Sequence, residues 1–209
     1  MYEDVTQETD EIVSIHVTSK HSATYNSALL GKEIAQRKSR RIEVIDSKCV
    51  TIWQGLVAIA AAKAAQAQNS LHQVIETVRE TINQLHVLAL LDTLAYIAKG
   101  GRVGKGLSAI ESVLSVKPLL TLHDGQIRPA GLVRTRSKGI DRLREFVASA
   151  LHIEDLAIAY NTTPDDARTL ADHTSLLFPN ILPRIARVGP ALEVHAGPGA
   201  LAVVLKGAK

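Results

Sequence analysis

Cysteine, aromatic residues and charge of a single sign are all scarce in this chain of 209 residues. The one cysteine, Cys49, cannot form an intrachain disulfide, and no Cys/His cluster has metal-ligand spacing, so we expect no metal site. Aromatic residues make up only 3% of the chain, which argues against stacking platforms for bases or sugars. A formal net charge of +3 is too small to indicate a nucleic-acid-binding protein.

Long uninterrupted hydrophobic runs are also missing. The most apolar stretch, residues 51–68, is broken by Gln54, Lys63 and Gln66, so we expect no transmembrane helix. The acidic start MYEDVTQETDE lacks the basic and apolar segments of a secretory signal, and we expect a cytoplasmic protein. Hydrophobic residues make up 46% of the chain, enough for an aliphatic core in one large domain or two small ones.

Strand and helix patterns alternate through the first half of the chain. Apolar strands are predicted at residues 11–17 and 41–46, with a helix over residues 22–38 between them. An alanine-rich helix from Thr51 and a capped helix over residues 70–84 follow. This alternation predicts a parallel sheet covered by helices. Two strands are too few to stand alone, so either they join a larger sheet or an N-terminal piece is absent.

The second half of the chain has an α+β pattern. The predicted elements are a strand at 86–92, helices from Thr93, at 107–114, at 135–150 and at 164–176, and strands at 155–160 and near Ile181 and Leu201. Asp124-Gly125 lies between two apolar runs and predicts a β-hairpin. We therefore predict an α/β protein of two domains, residues 1–84 and 85–209.

Polar residues gather near the predicted strand ends, where open α/β sheets place their ligands. The first group, TSKHS from Thr18, offers hydroxyls and N–H groups to an anion, although helix capping by Ser19 or Ser22 explains it equally well. The glycine-rich KGGRVGKG from Lys99 lacks the spacing of a phosphate-binding loop. The segment is either a flexible turn whose cations are solvated, or its glycines allow a close approach of the backbone while Arg102 orients an acid.

Two further groups lie in the second half. Arg134, Arg136 and Lys138 surround a predicted helix start, where cations are unfavourable unless an acid is near. That acid is a partner protein, a phosphate, or Asp141 and Glu145 of the same helix. The last group is a histidine, at position 195, before Gly-Pro-Gly in a sharp turn. It is either structural or a donor or base beside an anion.

A hydrolase triad is the enzymatic alternative for these residue types. Ser19, His195 and Asp92 supply a nucleophile, a base and an acid. No GxSxG nucleophile elbow surrounds any serine, and the triad hypothesis is the weaker one.

Four segments together resemble the DegV family of bacterial fatty-acid-binding proteins, also called FakB-type carriers. IHVTSKHSATYNSA resembles the strand-loop-helix motif SSxxSGTYxSA, and VIDSKCVTIWQGL resembles VxDSxxVSxGxG. LLDTLAYIAKGGRVGK with VKPLLTLHDGQIRPAGLVRTRSKGI, and later LEVHAGPGALAVVL, are close to the family pattern. The likeness runs from about residue 3 to the C-terminus, and the joint order of the segments is specific.

The resemblance implies two α/β domains with a long-chain fatty acid between them and no other cofactor. By this resemblance Thr18, Ser19, His195 and Arg102 stand at the carboxylate site, and Arg134, with Arg136 beside it, at the docking site for a fatty acid kinase. It further implies that the kinase, not the carrier, forms the acyl phosphate that feeds phospholipid synthesis. The expected function is therefore a non-enzymatic fatty-acid carrier.

The sequence departs from the family pattern in three places. A strand and a hydroxyl loop, typically TSQPS, would precede Tyr2, so we expect a truncated N-terminal domain with an incomplete head-group pocket. Thr18 replaces a serine and keeps the hydroxyl, whereas Ala23 replaces a glycine and adds a Cβ. An exposed sheet edge would favour a homodimer. A degenerate member acting as a regulatory or oligomerising module is the main alternative, ahead of a small serine hydrolase and of nucleic-acid binding.

Overall fold

The computed structural model describes residues 2–5, 9–35, 41–102 and 116–208. Its helices are Tyr2–Val5 (α1), Thr24–Ala35 (α2), Thr51–Gln66 (α3), Leu71–Gln84 (α4), Ala95–Lys99 (α5), Arg136–Ala148 (α6), Pro164–Leu177 (α7) and Pro190–Ala196 (α8). Its strands are Glu11–His16 (β1), Arg41–Asp46 (β2), Leu85–Leu90 (β3), Lys117–His123 (β4), Gln126–Val133 (β5), His152–Tyr160 (β6), Arg184–Arg187 (β7) and Leu201–Ala208 (β8). None of the described helices combines the length and the apolar character needed to cross a bilayer.

The chain divides into two compact units. The first comprises Met1–Val50 and Gln54–Asn83, and the second comprises Thr51–Trp53 and Gln84–Lys209. In the first unit β1 and β2 pair in parallel as a two-stranded sheet, in register from Glu11 opposite Arg41 to His16 opposite Asp46. Parallel strands need a crossover, and α2 provides it. The carboxyl ends of both strands therefore lie at the same edge.

A small apolar cluster holds α2 against this sheet. Buried Ala28 and Ala35 of α2 pack with Ile42 and Val44 of β2 and with Tyr2. The small alanine side chains allow the helix to approach the strands closely. The start of α2 and the loop before it are thus fixed at the end of β1.

The second unit is a six-stranded sheet with the order β5-β4-β3-β8-β6-β7. Neighbouring strands are antiparallel except for β6 and β7, which are parallel. The predicted hairpin is confirmed: β4 and β5 pair across Asp124 and Gly125, whose φ angles are 48° and 74°. Both central residues have positive φ, as a type I′ turn requires, which explains the Asp-Gly sequence.

Apolar side chains cover both faces of this sheet. Fully buried Leu143 and Leu170, from α6 and α7, pack with Leu156 and Leu205 of the sheet in the main core. On the other side, α5 buries Ile97 in a smaller cluster that includes Leu94, Leu120 and Ala200. Each fully buried aliphatic side chain contributes about 1.5–3 kcal/mol relative to exposure. This sheet is consequently a firm support for the loops at its ends.

The predicted α/β class is confirmed, and most predicted elements lie within a few residues of the observed ones. The two first-half strands form their own sheet and do not join the sheet of the second half. The strand predicted near Ile181 begins at Arg184, and helix α8, which carries His195, was not predicted. Its start carries a helix pattern in the sequence, Gly189 at the N-cap and Pro190 at the first helical position. The helix predicted at 107–114 lies outside the described residues.

Gly207→Ala is expected to lower the free energy of unfolding by at least about 2 kcal/mol, because φ of Gly207 is +154° and an added Cβ would overlap the carbonyl oxygen of His152. Gly189→Ala is the matched control, since a Cβ there meets nothing within 4 Å. We expect the control to stay within about 0.5 kcal/mol of the wild type. Urea denaturation measures both, and equal transition midpoints for the two variants would contradict the prediction.

Candidate functional site

The loops that follow β1 and β2 are joined by hydrogen bonds in the first unit. The backbone N–H and the hydroxyl of Ser47 both donate to the carbonyl of His16, at 3.0 and 2.7 Å. The amide of Gln54 donates to the carbonyl of Ile15 at 2.9 Å. These bonds continue the parallel pairing beyond the sheet, so the loop that begins at Thr18 is held in place.

Asp46, at the end of β2, organises this edge. Its carboxylate accepts hydrogen bonds from the hydroxyl of Ser19 at 2.5 Å, the N–H of Ser19 at 3.2 Å and the N–H of Lys48 at 2.8 Å. A carboxylate with several donors is well stabilised in its charged form. The single hydroxyl hydrogen of Ser19 is thereby directed at Asp46. Ser19 must break this hydrogen bond before its hydroxyl can donate to a ligand.

Thr18 is fully buried at the same place. Its N–H donates to the carbonyl of Cys49 at 2.9 Å, and its hydroxyl oxygen accepts from the N–H of Lys20 at 3.3 Å. Burial raises the pKa of the Cys49 thiol, which therefore stays protonated at neutral pH and is a poor nucleophile. Among the described residues, the predicted pair Thr18 and Ser19 thus forms one ordered hydroxyl cluster at the strand ends.

The loop does not cap α2 through Ser19. The hydroxyl of Ser22 instead accepts from the N–H of Thr24, the first residue of α2, at 3.3 Å. Of the two residues offered for capping, Ser22 therefore serves the helix start, whereas Ser19 bonds Asp46. The anion-site explanation stays a prediction.

In the second unit, the structure brings His195 together with the glycine-rich turn after α5. A Cβ on Gly100 would overlap Nδ1 of His195 and lie 2.7 Å from its Cε1, so the backbone of Gly100 lies against the imidazole edge. Arg102, which is exposed, donates from Nη1 to the carbonyl of Gly100 at 2.5 Å. Two predicted site residues, His195 and Arg102, thus flank one peptide unit. The remainder of the glycine-rich segment, from residue 103, lies outside the described residues.

The turn after His195 is tightly packed. Gly197 and Gly199 have φ of 73° and 75°, and a Cβ on either would overlap the ring of Tyr96 or the carboxylate of Asp92. The side-chain amide of Asn161 donates to the carbonyl of Gly197 at 2.8 Å. Only glycine satisfies both the positive φ and the close approach here. The turn consequently fixes the end of α8, on which His195 lies.

Arg136 braces the same turn from the start of α6. Its guanidinium donates to the carbonyl of Gly199 at 2.7 Å, the hydroxyl of Thr163 at 2.9 Å, and the carboxylates of Asp166 and Asp92 at 2.7 and 3.3 Å. Its side chain is only 24% exposed. Of the alternatives offered for an acid near this cation, the one that named Asp141 and Glu145 is wrong for Arg136, whose acids are Asp166 and Asp92. Asp141 and Glu145 pair with Arg144 and Arg142 on the surface of α6.

Arg134 differs sharply from Arg136, two residues later. It is exposed just after β5 and has no hydrogen bond or ion pair with any residue that the structure describes. Of the two predicted docking residues, Arg134 therefore presents its charge to solvent, whereas Arg136 uses its guanidinium internally.

The triad hypothesis fails at its Asp–His contact. Asp92 accepts from Lys117 at 2.7 Å and from Arg136, and Nδ1 of His195 is buried without a hydrogen-bond partner in the described structure. A triad requires the acid to hold the histidine through that nitrogen. Within the described part of the chain, no group of three His, Cys, Asp or Glu residues could hold a metal ion either.

Several residues that support these groups were not singled out from the sequence. They are Asp46, Asn161, Thr163 and Asp166. Asp46 could have been found, because it ends a predicted strand beside the polar loop. The others support the site through contacts between segments far apart in sequence, which no local pattern records.

Comparisons with known proteins place the chain in a family. The family model described as uncharacterised protein, DegV family, matches residues 1–207. A DegV domain-containing protein from Streptomyces coelicolor is 33% identical over 199 residues, which cover 94% of this chain and 70% of the relative.

Solved structures show the same fold. DegV from Bacillus subtilis, described as a fatty acid binding protein, has a TM-score of 0.86 at 26% identity over 98% of this chain and 74% of that one. A DegV family protein from Eubacterium eligens, loaded with heptadecanoic acid, has a TM-score of 0.88 at 18% identity. It covers 99% of this chain and 76% of its own, and its likeness supports the fold alone.

Arg136→Lys is expected to lower the free energy of unfolding by about 2–4 kcal/mol, because one ammonium group cannot satisfy four acceptors on three segments. Arg134→Lys, with the same change at an exposed position, is expected to stay within about 0.5 kcal/mol of the wild type. Chemical denaturation of both variants measures the difference. Equal losses would show that the Arg136 brace adds nothing to stability.

Proposed function

The chain belongs to the DegV family, and on that premise we propose that it is a non-enzymatic carrier that binds one long-chain fatty acid and presents it to a fatty acid kinase. The observation that carries the proposal is the likeness, in sequence and fold, to the fatty-acid-binding protein of Bacillus subtilis. The hydroxyls of the first unit and the imidazole and guanidinium of the second support it, because each can donate a hydrogen bond to a carboxylate.

The free energy of such binding is adequate. Transfer of about 14 methylenes from water to an apolar site contributes roughly 11 kcal/mol at ~0.8 kcal/mol each. Association and ordering oppose this gain by several kcal/mol, and a useful affinity remains. A protein with 46% hydrophobic and 3% aromatic residues offers the aliphatic surface that an alkyl chain prefers.

The carboxylate needs hydrogen-bond donors when it leaves water, and we assign them to the four predicted residues. Thr18 and Ser19 belong to the first unit, and His195 and Arg102 to the second. The hydroxyl of Ser19 donates to Asp46, so its contribution requires exchange of that bond for one to the ligand. We therefore rank His195 above Ser19 as a donor.

The kinase supplies the chemistry in this proposal. One carboxylate oxygen attacks the γ-phosphorus of ATP, the bond to the leaving ADP oxygen breaks, and an acyl phosphate forms. Arg134 is exposed and uncommitted within the described structure, so it is the cation we assign to kinase docking, while Arg136 positions the neighbouring turn. Cytoplasmic location, use of the product in phospholipid synthesis and dimer formation through an open sheet edge belong to the same proposal.

His195→Ala is expected to weaken binding of palmitate by about 10- to 100-fold, the loss typical of a hydrogen bond to a charged group. His123→Ala is the control, because His123 is exposed in the β4–β5 hairpin. Titration calorimetry with palmitate, and with hexadecanol as a ligand without a carboxylate, measures the effect. Equal affinity of wild type and His195→Ala for palmitate would remove His195 from the site. Failure of the wild type to bind palmitate would favour the regulatory or oligomerising alternative.

Arg134→Ala is expected to leave palmitate affinity unchanged and to raise the carrier concentration needed for half-maximal acyl-phosphate formation by about tenfold, because an interface charge is lost. Arg128→Ala, an exposed arginine on β5, is the matched control. A coupled assay with a fatty acid kinase and ATP provides the readout. If both variants support the kinase as well as the wild type does, Arg134 is not a docking residue.

A further inference from the structure

The contact between Gly100 and His195 distinguishes the two ring nitrogens of this histidine. Nδ1 is buried without a hydrogen-bond partner, whereas Nε2 is not among the buried unpartnered atoms of the described structure. A Cβ on Gly100 would overlap Nδ1 and come within 2.7 Å of Cε1, and no other ring atom lies as near. Because this Cβ would be close to Nδ1 and Cε1 and farther from Cγ, it would lie near the plane of the imidazole ring, in front of the Nδ1 lone pair.

In glycine that position is occupied by an α-hydrogen. The Cα–H bond of Gly100 therefore points at Nδ1, in the arrangement of a weak Cα–H···N hydrogen bond. A lone pair on Nδ1 accepts this hydrogen, whereas a proton on Nδ1 would face it at short range. The contact favours one tautomer of the neutral ring, the one that carries its proton on Nε2.

We propose that Gly100 is a positioning residue that holds His195 as the Nε2–H tautomer, so that Nε2, the nitrogen that does not face Gly100, is a hydrogen-bond donor. The second part of the inference rests on the proposed function: the donor is then directed to the carboxylate of the fatty acid. A carboxylate accepts and does not donate, and the opposite tautomer would set a lone pair against it. The backbone at Gly100 thus determines that Nε2 of His195 binds a hydrogen-bond acceptor, such as a carboxylate.

The backbone of Gly100 makes a clean test feasible. Its φ is −73° and its N–H donates to the carbonyl of Tyr96 at 3.0 Å, so alanine can adopt the same conformation. The Cβ that Gly100→Ala adds would overlap the imidazole of His195, which must move away. Gly189, the N-cap of the helix that carries His195, has φ of −73° and open space around its Cβ position. Gly189→Ala is therefore the matched control.

The direct test is ¹⁵N nuclear magnetic resonance of the ligand-free wild-type chain labelled at histidine, above neutral pH. Comparison with His195→Gln assigns the resonances of His195. The proposal predicts an unprotonated Nδ1 and a protonated Nε2. A spectrum with the proton on Nδ1, or with equal populations of both tautomers, would overturn it. This measurement needs no fatty acid, so it remains decisive if the carrier function fails.

The second test connects the tautomer to the ligand. Gly100→Ala is expected to bind palmitate about 10- to 100-fold more weakly than Gly189→Ala, the loss of a hydrogen bond to a charged group. His195→Gln, whose amide N–H₂ can take the place of Nε2–H, should retain more affinity than His195→Asn, whose shorter amide cannot. Equal affinities within each pair would overturn the link to the ligand. Absence of palmitate binding in the wild type would overturn the carrier function and leave the tautomer assignment to the spectrum.

Discussion

The guanidinium of Arg136 is the interaction on which the order of the second unit most depends. It joins the segment after β3, the start of α7 and the turn before β8, through Asp92, Asp166 and the carbonyl of Gly199. Hydrogen bonds to a charged group contribute about 1.5–3 kcal/mol each, and a half-buried arginine with every direction satisfied is a rigid support. The turn that it holds ends helix α8. The position of His195 therefore depends on a residue that is 59 positions earlier in the sequence (195 − 136).

In the first unit a negatively charged side chain has the supporting role that Arg136 has in the second. Asp46, a carboxylate at the end of β2, accepts hydrogen bonds from the loop after β1 and from its own loop, and the hydroxyl of Ser19 is fixed as a consequence. In both units a charged side chain bonds backbone and neighbouring groups and so supports a polar residue, Ser19 in the first unit and His195 in the second.

The sequence predicted the fold class and the polar loops, because each depends on local patterns. Alternating apolar residues predicted β1 and β2, and Asp124-Gly125 predicted the hairpin, since its turn requires positive φ at both residues. The support of the site could not be predicted in this way. Arg136 resembled a surface cation because its acceptors are distant in sequence. The glycine-rich segment predicted a flexible turn or a close backbone approach, but not the partner of Gly100, which lies on a helix some 90 residues later (190 − 100).

Native mass spectrometry of the purified chain, followed by lipid extraction under denaturing conditions, tests the carrier proposal most directly. If the chain is a fatty-acid carrier, its native mass includes one fatty acid per chain, and the mass of the extracted lipid gives the acyl length. A chain that is purified without lipid, and that gains no mass after incubation with excess palmitate or oleate, would contradict the carrier proposal.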